Sequence, residues 1–220
     1  MNNNIKLHTK DEFTFMRQAG QLAAECLDYI TDFVKPGITT QELNDICHEF
    51  QTSRGAVPAP LNYKGFPKSI CTSVNHVVCH GIPGDKVLHN GDIVNIDVTP
   101  VLNGWHGDTS RMFYVGNVKI KAKKLVETTY EAMMKGIETI KPGMTIGDIG
   151  HAIQVFAEKK NYSVVRDFCG HGLGKVFHDN PSVLHFGKPG EGQKLEQGMF
   201  FTVEPMINIC DYKVKILTDG

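Results

Sequence analysis

Apolar residues recur every three or four positions along an early segment of the chain, a spacing that puts them on one face of an amphipathic α-helix. The residues on this predicted face are Phe13, Met16, Ala19, Ala23, Leu27, Ile30 and Phe33. Thr9 precedes the segment and Glu12 follows three residues later, which predicts a capping box at the helix start. The Pro36-Gly37 pair ends the segment, because proline cannot continue a helix and glycine accepts a left-handed turn.

This pattern occurs twice along the chain. Lys35-Pro36-Gly37-Ile38-Thr39 returns as Lys141-Pro142-Gly143-Met144-Thr145, in each case between two helical segments. Thr39 to Glu42 and Thr145 to Asp148 predict a capping box at the start of each second helix. Further along, a Leu-x-x-Gly turn leads into a predicted strand that ends in a carboxylate, at Asp97 in the first copy and Glu204 in the second. Two matches in the same order predict a duplicated unit.

The duplication predicts two helix–helix–strand halves, about residues 9–117 and 120–220, related by a pseudo-twofold axis, with the lysine run 119–124 where they join. A length of 220 residues fits one α/β domain. The lysine run is typical of a solvated face, although it is also compatible with a contact to an anionic partner such as ribosomal RNA.

Two carboxylates are predicted to meet in the first half. Asp97 lies in the β-branched run 92–99, which is typical of an interior strand. Asn103-Gly104 favours a hairpin turn, and the return strand would bring Asp108 back beside Asp97. Like charges at close range need a positive partner, and carboxylate oxygens suit hard or borderline divalent cations. The sequence therefore predicts a metal site here.

The second half supplies further candidate ligands. His171 lies between two glycines, where little crowds the imidazole, and Glu204 is the counterpart of Asp97. Two Asp, one Glu and one His are typical of paired Mn, Fe, Co or Zn ions, which can bind a hydroxide that attacks a peptide or ester carbonyl. His80 and His178 lie near turn signals and could hydrogen-bond a scissile amide and a developing oxyanion. The other histidines are interpreted as structural: His8, His48, His76, His89, His106, His151 and His185.

Composition narrows the classes of function. The chain is 41% hydrophobic and 21% charged, with a net charge of −1, so we expect neither disorder nor a protein whose main function is binding DNA. No apolar run is long enough to span a membrane. Asparagines occupy residues 2–4, where an export signal would need basic and apolar residues, so we expect a cytoplasmic enzyme. Because the cytoplasm is reducing, the six dispersed cysteines are expected to be free thiols.

Several motifs together resemble the type I methionine aminopeptidase family over nearly the whole chain. They are the segment from Tyr63 to Asn75, Cys79-His80-Gly81-Ile82-Pro83, Asp97, the sequence around Asp108, Gly170-His171-Gly172-Leu173-Gly174 with His178, and Thr202-Val203-Glu204-Pro205. The resemblance implies the pita-bread fold of the α/β (α+β) class, in which a central curved antiparallel sheet lies between two related halves. It also implies removal of the initiator methionine from peptides and nascent proteins, in a monomeric enzyme.

The resemblance also assigns roles to individual residues. Asp97, Asp108, His171 and Glu204 would bind two divalent ions, whose identity among Co, Mn, Fe and Zn stays open. His80 would hydrogen-bond the amide side of the scissile bond and His178 its carbonyl side, and Glu204 would also shuttle a proton. Tyr63, Phe66, Cys71 and Phe177 would line the methionine pocket, because aromatic faces and a thiol suit a thioether. Taken by itself, Cys71 is interpreted as ordinary core.

Members of this family carry a fifth ligand, a glutamate on a last strand that is missing from these 220 residues. We therefore expect this form of the chain to bind metal weakly and to turn over poorly. Two alternatives stay open at this point. One is another pita-bread hydrolase, such as an X-Pro aminopeptidase or prolidase, and the other is a non-catalytic pita-bread module that binds peptides or proteins.

Overall fold

A computed structural model describes residues 5–217, so the polar residues 1–4 and the turn predicted at 219–220 lie outside the described residues. The helices are α1 (Lys10–Ile30), α2 (Thr40–Thr52), α3 (Ile120–Glu138) and α4 (Ile146–Lys159). Short 3₁₀ turns occur at Thr31–Phe33 and Tyr63–Gly65. The strands are β1 (Val57–Pro58), β2 (Ile70–Val74), β3 (Ile93–Val98), β4 (Pro100–Leu102), β5 (Trp105–His106), β6 (Thr109–Tyr114), β7 (Ser163–Val164), β8 (Gly170–Gly172), β9 (Asp179–Val183) and β10 (Ile207–Asn208).

The chain divides into two compact units. Among the described residues, the first unit comprises Asp11–Ala122 together with residues 216–217, and the second comprises Lys123–Lys215 together with residues 5–10. The boundary falls inside the lysine run at which the repeated halves were expected to join. Within residues 5–217, no helix is long and apolar enough to cross a membrane.

In the first unit, two helices pack on one face of a three-stranded antiparallel sheet. Its order is β2-β3-β6, so β3 is the interior strand, as its β-branched sequence predicted. Alternate side chains of a strand point to opposite faces, and Val94, Ile96 and Val98 join the core that α1 and α2 cover. The predicted face of α1 is confirmed from Ala19 to Ile30, where the apolar side chains are buried in the same core.

In the second unit, α3 and α4 pack together and against short antiparallel strand pairs, β8 with β9 and β7 with β10. Gly136 of α3 allows the close approach, because a Cβ at this position would lie 2.7 Å from the Ile153 side chain of α4. The buried core of this unit includes Ile149 and Ile153 of α4 and Val164 of β7.

The repeated sequences adopt the same local structure within their own units. The capping boxes of Thr39 with Glu42 and Thr145 with Asp148 are both present, as predicted. The amide of Leu88 donates to the Ile38 carbonyl at 2.8 Å, and the amide of Leu195 donates to the Met144 carbonyl at 2.7 Å. The Leu-x-x-Gly turns are therefore held against the Pro-Gly turns in the same way in both copies.

One predicted element is wrong. Residues 199–204 were expected to form a strand that ends at Glu204, but the structure has only an isolated bridge there, between Phe201 and Gly172. Backbone bonds from Leu173 to Phe200 and from Thr202 to His171 show that the segment is paired at its centre. β8, the strand beside this segment, is only three residues long, so the ladder does not extend further.

Candidate active site

Asp97 lies on the face of β3 that points away from the helices. It alternates with Ile96 and Val98, which enter the core, so its carboxylate emerges on the opposite face, together with Asn95. Asp97 pairs with Cys71 of β2 on one side and with Ser110 of β6 on the other. Directly paired residues share a face of a sheet. The strand register thus places a carboxylate, a thiol and a hydroxyl in one row.

Asp108 follows the predicted hairpin. Asn103 and Gly104 both have positive φ, 52° and 78°, as a two-residue hairpin turn requires. The chain then leads through Asp108 into β6, and the Thr99 hydroxyl donates to Asp108 Oδ1 at 3.2 Å. Gly107 comes so close to the backbone that a Cβ there would lie 2.0 Å from the Ala19 carbonyl oxygen. Both neighbours therefore restrict the position of Asp108.

The charges of both carboxylates, Asp97 and Asp108, act on the Cys71 thiol. Burial raises the pKa of Cys71 well above its usual value, and the charges of Asp97, Cys79 and Asp108 raise it further. Cys71 is therefore a neutral thiol. Sequence reasoning left it between a pocket residue and ordinary core, and its cross-strand pairing with Asp97 now ties it to the candidate site.

His80 is exposed and has an unusual backbone. Its φ is 55°, a left-handed conformation that costs energy in a residue with a Cβ. The neighbouring Gly81 is bound to β2 on both sides: its amide donates to the Ser73 hydroxyl at 3.2 Å, and its carbonyl accepts from the Thr72 amide at 2.8 Å. The strand therefore determines the position from which the His80 imidazole projects.

Tyr63 and Phe66, both half-buried, lie in a tight turn of the same unit. Positive φ at Asn62 and Lys64 reverses the chain, and the Phe66 amide donates to the Tyr63 carbonyl at 2.9 Å. The turn presents both aromatic rings within four residues, which is compatible with the predicted role of these rings in an apolar pocket.

In the second unit, His171 and Glu204 face each other. His171 lies on β8, and its Nε2 is 3.6 Å from Glu204 Oε1. His171 Nδ1 is 2.9 Å from the Gly172 carbonyl oxygen, an acceptor, so Nδ1 carries a hydrogen, and in the neutral ring the lone pair is on Nε2. In the neutral ring, a nitrogen lone pair and a carboxylate oxygen thus lie on the same side, 3.6 Å apart.

This donor pair fits a divalent metal ion. Metal-binding histidines usually donate their second ring N–H to a carbonyl or carboxylate, which fixes the tautomer, and His171 does so through Gly172. Imidazole nitrogen and carboxylate oxygen bind Zn²⁺ at about 2.0–2.2 Å, which is compatible with the 3.6 Å between His171 Nε2 and Glu204 Oε1. Within residues 5–217, no three His, Cys, Asp or Glu side chains form a group of metal-binding geometry, so the larger ligand set stays a prediction.

The rings of His178 and Phe177 lie against His171. The His178 and His171 centroids are 4.3 Å apart, and those of Phe177 and His178 are 4.1 Å apart. His178 is exposed whereas Phe177 is half-buried. The structure therefore brings His171, Phe177, His178 and Glu204 together in this unit, as it brings Cys71, Asp97 and Asp108 together in the other.

Two neighbours of Glu204 escaped the sequence reasoning. His185, interpreted from sequence as structural, is fully buried and accepts the Glu204 amide hydrogen at Nε2, 3.1 Å away. Burial lowers the pKa of His185 to about 4, so the ring is neutral. The Thr202 hydroxyl donates to Glu204 Oε1 at 2.5 Å. No sequence pattern marks His185, whereas the i, i+2 spacing of Thr202 and Glu204 in an extended segment was a signal that both share a face.

Two of the other histidines interpreted as structural, His8 and His48, contact neighbouring residues. His8 stacks on Phe200 with centroids 4.2 Å apart, and His48 Nδ1 lies 2.8 Å from the Ser69 hydroxyl. All six cysteines are free thiols.

The profile of a protein family described as Metallopeptidase family M24 matches residues 14–216. A curated protein named methionine aminopeptidase from Rickettsia prowazekii (strain Madrid E) is 68% identical over 208 residues, which are 94% of this chain and 80% of that protein. The methionine aminopeptidase of Escherichia coli (strain K12) is 47% identical over 218 residues, 98% of this chain and 83% of that protein.

Solved structures of peptidases are also similar to this chain. The crystal structure of methionine aminopeptidase from Rickettsia prowazekii matches with a TM-score of 0.96 and 66% identity, over 97% of this chain and 86% of that chain. An Xaa-Pro dipeptidase from Bacillus anthracis matches with a TM-score of 0.80 and 26% identity, over 90% of this chain and 54% of that one.

Proposed function

Because the chain belongs to metallopeptidase family M24 and shares the pita-bread fold of its structural relatives, as its motifs predicted, we propose that it is a methionine aminopeptidase. It hydrolyses the peptide bond after an N-terminal methionine and so removes the initiator residue from peptides and nascent proteins. The observation that carries this proposal is the high identity to curated methionine aminopeptidases over nearly the whole chain.

Divalent metal ions are the cofactor of this activity, as the family implies. We assign four ligands, Asp97, Asp108, His171 and Glu204, to two ions drawn from Co, Mn, Fe and Zn. The fixed tautomer of His171 and the oxygen of Glu204 that faces its Nε2 support the assignment in one unit. The two carboxylates beside Cys71 support it in the other.

When bound, such ions polarise a carbonyl and lower the pKa of water. The chain's own residues then transfer protons and orient the scissile bond. Glu204 takes up and returns a proton, and the Thr202 hydroxyl and the backbone bond to His185 hold it in place. His80 hydrogen-bonds the amide side of the scissile bond and His178 its carbonyl side, where charge develops.

The methionine side chain is recognised by Tyr63, Phe66, Cys71 and Phe177. Because burial and neighbouring charges keep the pKa of Cys71 high, its sulfur stays neutral and offers a soft, apolar contact to a thioether. Aromatic faces complete such a contact. We place the enzyme in the cytoplasm, where nascent chains are its substrate, and we expect it to be a monomer. The exposed lysine run 119–124 would contact the ribosome transiently.

The test is release of free methionine from Met-Ala-Ser in the presence of Co(II) or Mn(II). We expect the wild-type chain to release it and Asp97→Asn to lose at least 100-fold in rate, since a metal ligand is removed. Asp45→Asn is the matched control, because Asp45 is an exposed carboxylate on α2 that only accepts side-chain hydrogen bonds from Gln41 and Asn44. Equal rates for the two variants would argue against Asp97 as a metal ligand, and peptide binding without hydrolysis would favour a binding module instead.

A further inference from the structure

The Thr202 side chain connects the two candidate metal ligands of the second unit. Its Oγ1 accepts the backbone amide hydrogen of His171 at 2.9 Å and donates to Glu204 Oε1 at 2.5 Å. The backbone of Thr202 is bound to the same strand, because its amide donates to the His171 carbonyl at 2.8 Å. One residue is therefore tied to both ligands by side chain and main chain.

The hydroxyl has one hydrogen and two oxygens compete for it. Glu204 Oε1 is 2.5 Å from Thr202 Oγ1, whereas the His171 carbonyl oxygen is 3.5 Å away. A hydrogen bond to a carboxylate is shorter and about twice as strong as one between neutral groups. The proton therefore goes to Glu204, and the lone pairs of Oγ1 stay available for the His171 amide.

The oxygen that Thr202 holds is the one that faces the imidazole. Glu204 Oε1 is also the atom 3.6 Å from His171 Nε2. With the carboxylate oxygen fixed by Thr202 and the ring fixed by the Gly172 carbonyl, both donor atoms are held in their relative positions before any cation binds. Such support of ligands from their neighbours is worth about 10–100-fold in metal affinity.

The lack of a side chain at Gly170 lets Thr202 lie close to the backbone of β8. A Cβ at Gly170 would lie 2.5 Å from the Thr202 carbonyl oxygen and 2.9 Å from its Oγ1. Only glycine leaves room for this contact, so β8 and the segment that carries Thr202 can lie close enough for the hydroxyl to reach both partners.

We propose that Thr202 is a positioning residue that orients Glu204 and His171 for metal binding, an inference that rests on the proposed function. Its hydroxyl acts through the two ligands and does not itself contact the ion. Valine at this position would keep the shape and the backbone bond to His171 while removing the hydroxyl. Serine would keep the hydroxyl.

The experiment titrates Co(II) into metal-free wild-type chain, Thr202→Val, Thr202→Ser and Thr129→Val, by calorimetry and by the visible absorption of bound Co(II). Thr129 is the matched control, because this half-buried threonine of the same unit donates only to the Leu125 carbonyl of its own helix. We expect Thr202→Val to bind Co(II) about 10–100-fold more weakly and to change the absorption bands. The Co(II) affinity and the absorption bands of Thr202→Ser and Thr129→Val should stay close to those of wild type. In Thr202→Val, kcat should fall by a larger factor than KM rises.

Two results would overturn the positioning role. Thr202→Val with wild-type affinity and spectrum would show that the hydroxyl does not matter, and equal losses in Thr202→Ser and Thr202→Val would show that the hydroxyl by itself does not preserve metal binding. A wild-type chain that binds no Co(II) and releases no methionine would instead overturn the proposed function, and this inference with it.

Discussion

Adding one methyl group at Gly81 should displace His80 without changing any predicted catalytic side chain. A Cβ on Gly81 would lie 2.2 Å from the Thr72 carbonyl oxygen and 2.8 Å from the carbonyl carbon, both in the backbone of β2, an edge strand of its sheet. Ordinary contact begins at 3.4 Å, so the segment around residue 81 must move away from β2 by about 1 Å.

The cost follows from what this movement breaks. The Thr72 amide is bound to the Gly81 carbonyl at 2.8 Å, and Thr72 is buried, so separation leaves a buried donor unpaired at about 1–3 kcal/mol. Each kcal/mol lowers the Tm of a chain of this size by about 2–4 °C. His80 is the adjacent residue and would move with the segment. Misplacement of a catalytic group by about 1 Å can cost roughly 100-fold in rate.

The assay compares kcat/KM for Met-Ala-Ser, and Tm, between Gly81→Ala and Gly84→Ala. Gly84 belongs to the same segment, yet a Cβ there meets no atom within 4 Å and its φ is not positive, so this variant controls for the loss of a glycine. We expect about a 100-fold loss for Gly81→Ala and little change for Gly84→Ala. Rates within twofold of each other would refute the argument that β2 positions His80.

Three further predictions concern stability. The Thr39 amide and hydroxyl donate to Glu42 and lower its pKa, so the cap stabilises the fold above pH 4.5 and this stabilisation is lost as the pH falls. Glu42→Ala should therefore lower the Tm at pH 7. In acid, the Tm difference from wild type should vanish. Ile96→Ala, at a fully buried position of β3, should cost about 2–5 kcal/mol in denaturant unfolding, whereas Val57→Ala, 64% exposed, should cost less than 1 kcal/mol; equal losses would contradict the placement of the core. Saturating Co(II) should raise the Tm of wild type by several degrees and that of His171→Ala by much less, and an equal rise in both would argue against His171 as a ligand.

Much of the secondary structure followed from local rules. The face of α1 from Ala19 to Ile30, the capping boxes at Thr39 and Thr145 and the hairpin at Asn103-Gly104 all depend on residues within four positions of one another. Their spacing and turn chemistry are therefore visible in the sequence. The interior strand that carries Asp97 was predictable for the same reason, since its β-branched residues suit the pleated, half-buried surface of a sheet.

The same local rules failed at residues 199–204. The apolar run before Glu204 has strand composition, but whether a segment becomes a strand depends on the length and register of its neighbour. Here the neighbour is β8, which is only three residues long, and only an isolated bridge forms between Gly172 and Phe201. Composition contains no information about that partner.

By itself, the sequence determined the helices, the interior strand, the repeat and the residue types of a metal-dependent peptidase, because these depend on short-range periodicity and on motif identity. Only the tertiary structure decided how the ligands are supported. Thr202 bonds to His171 across 31 residues, and His185 reaches Glu204 from a buried position that no pattern marks. Hydrogen bonds between residues distant in sequence depend on packing to within a fraction of an ångström, which no local pattern of residue types specifies.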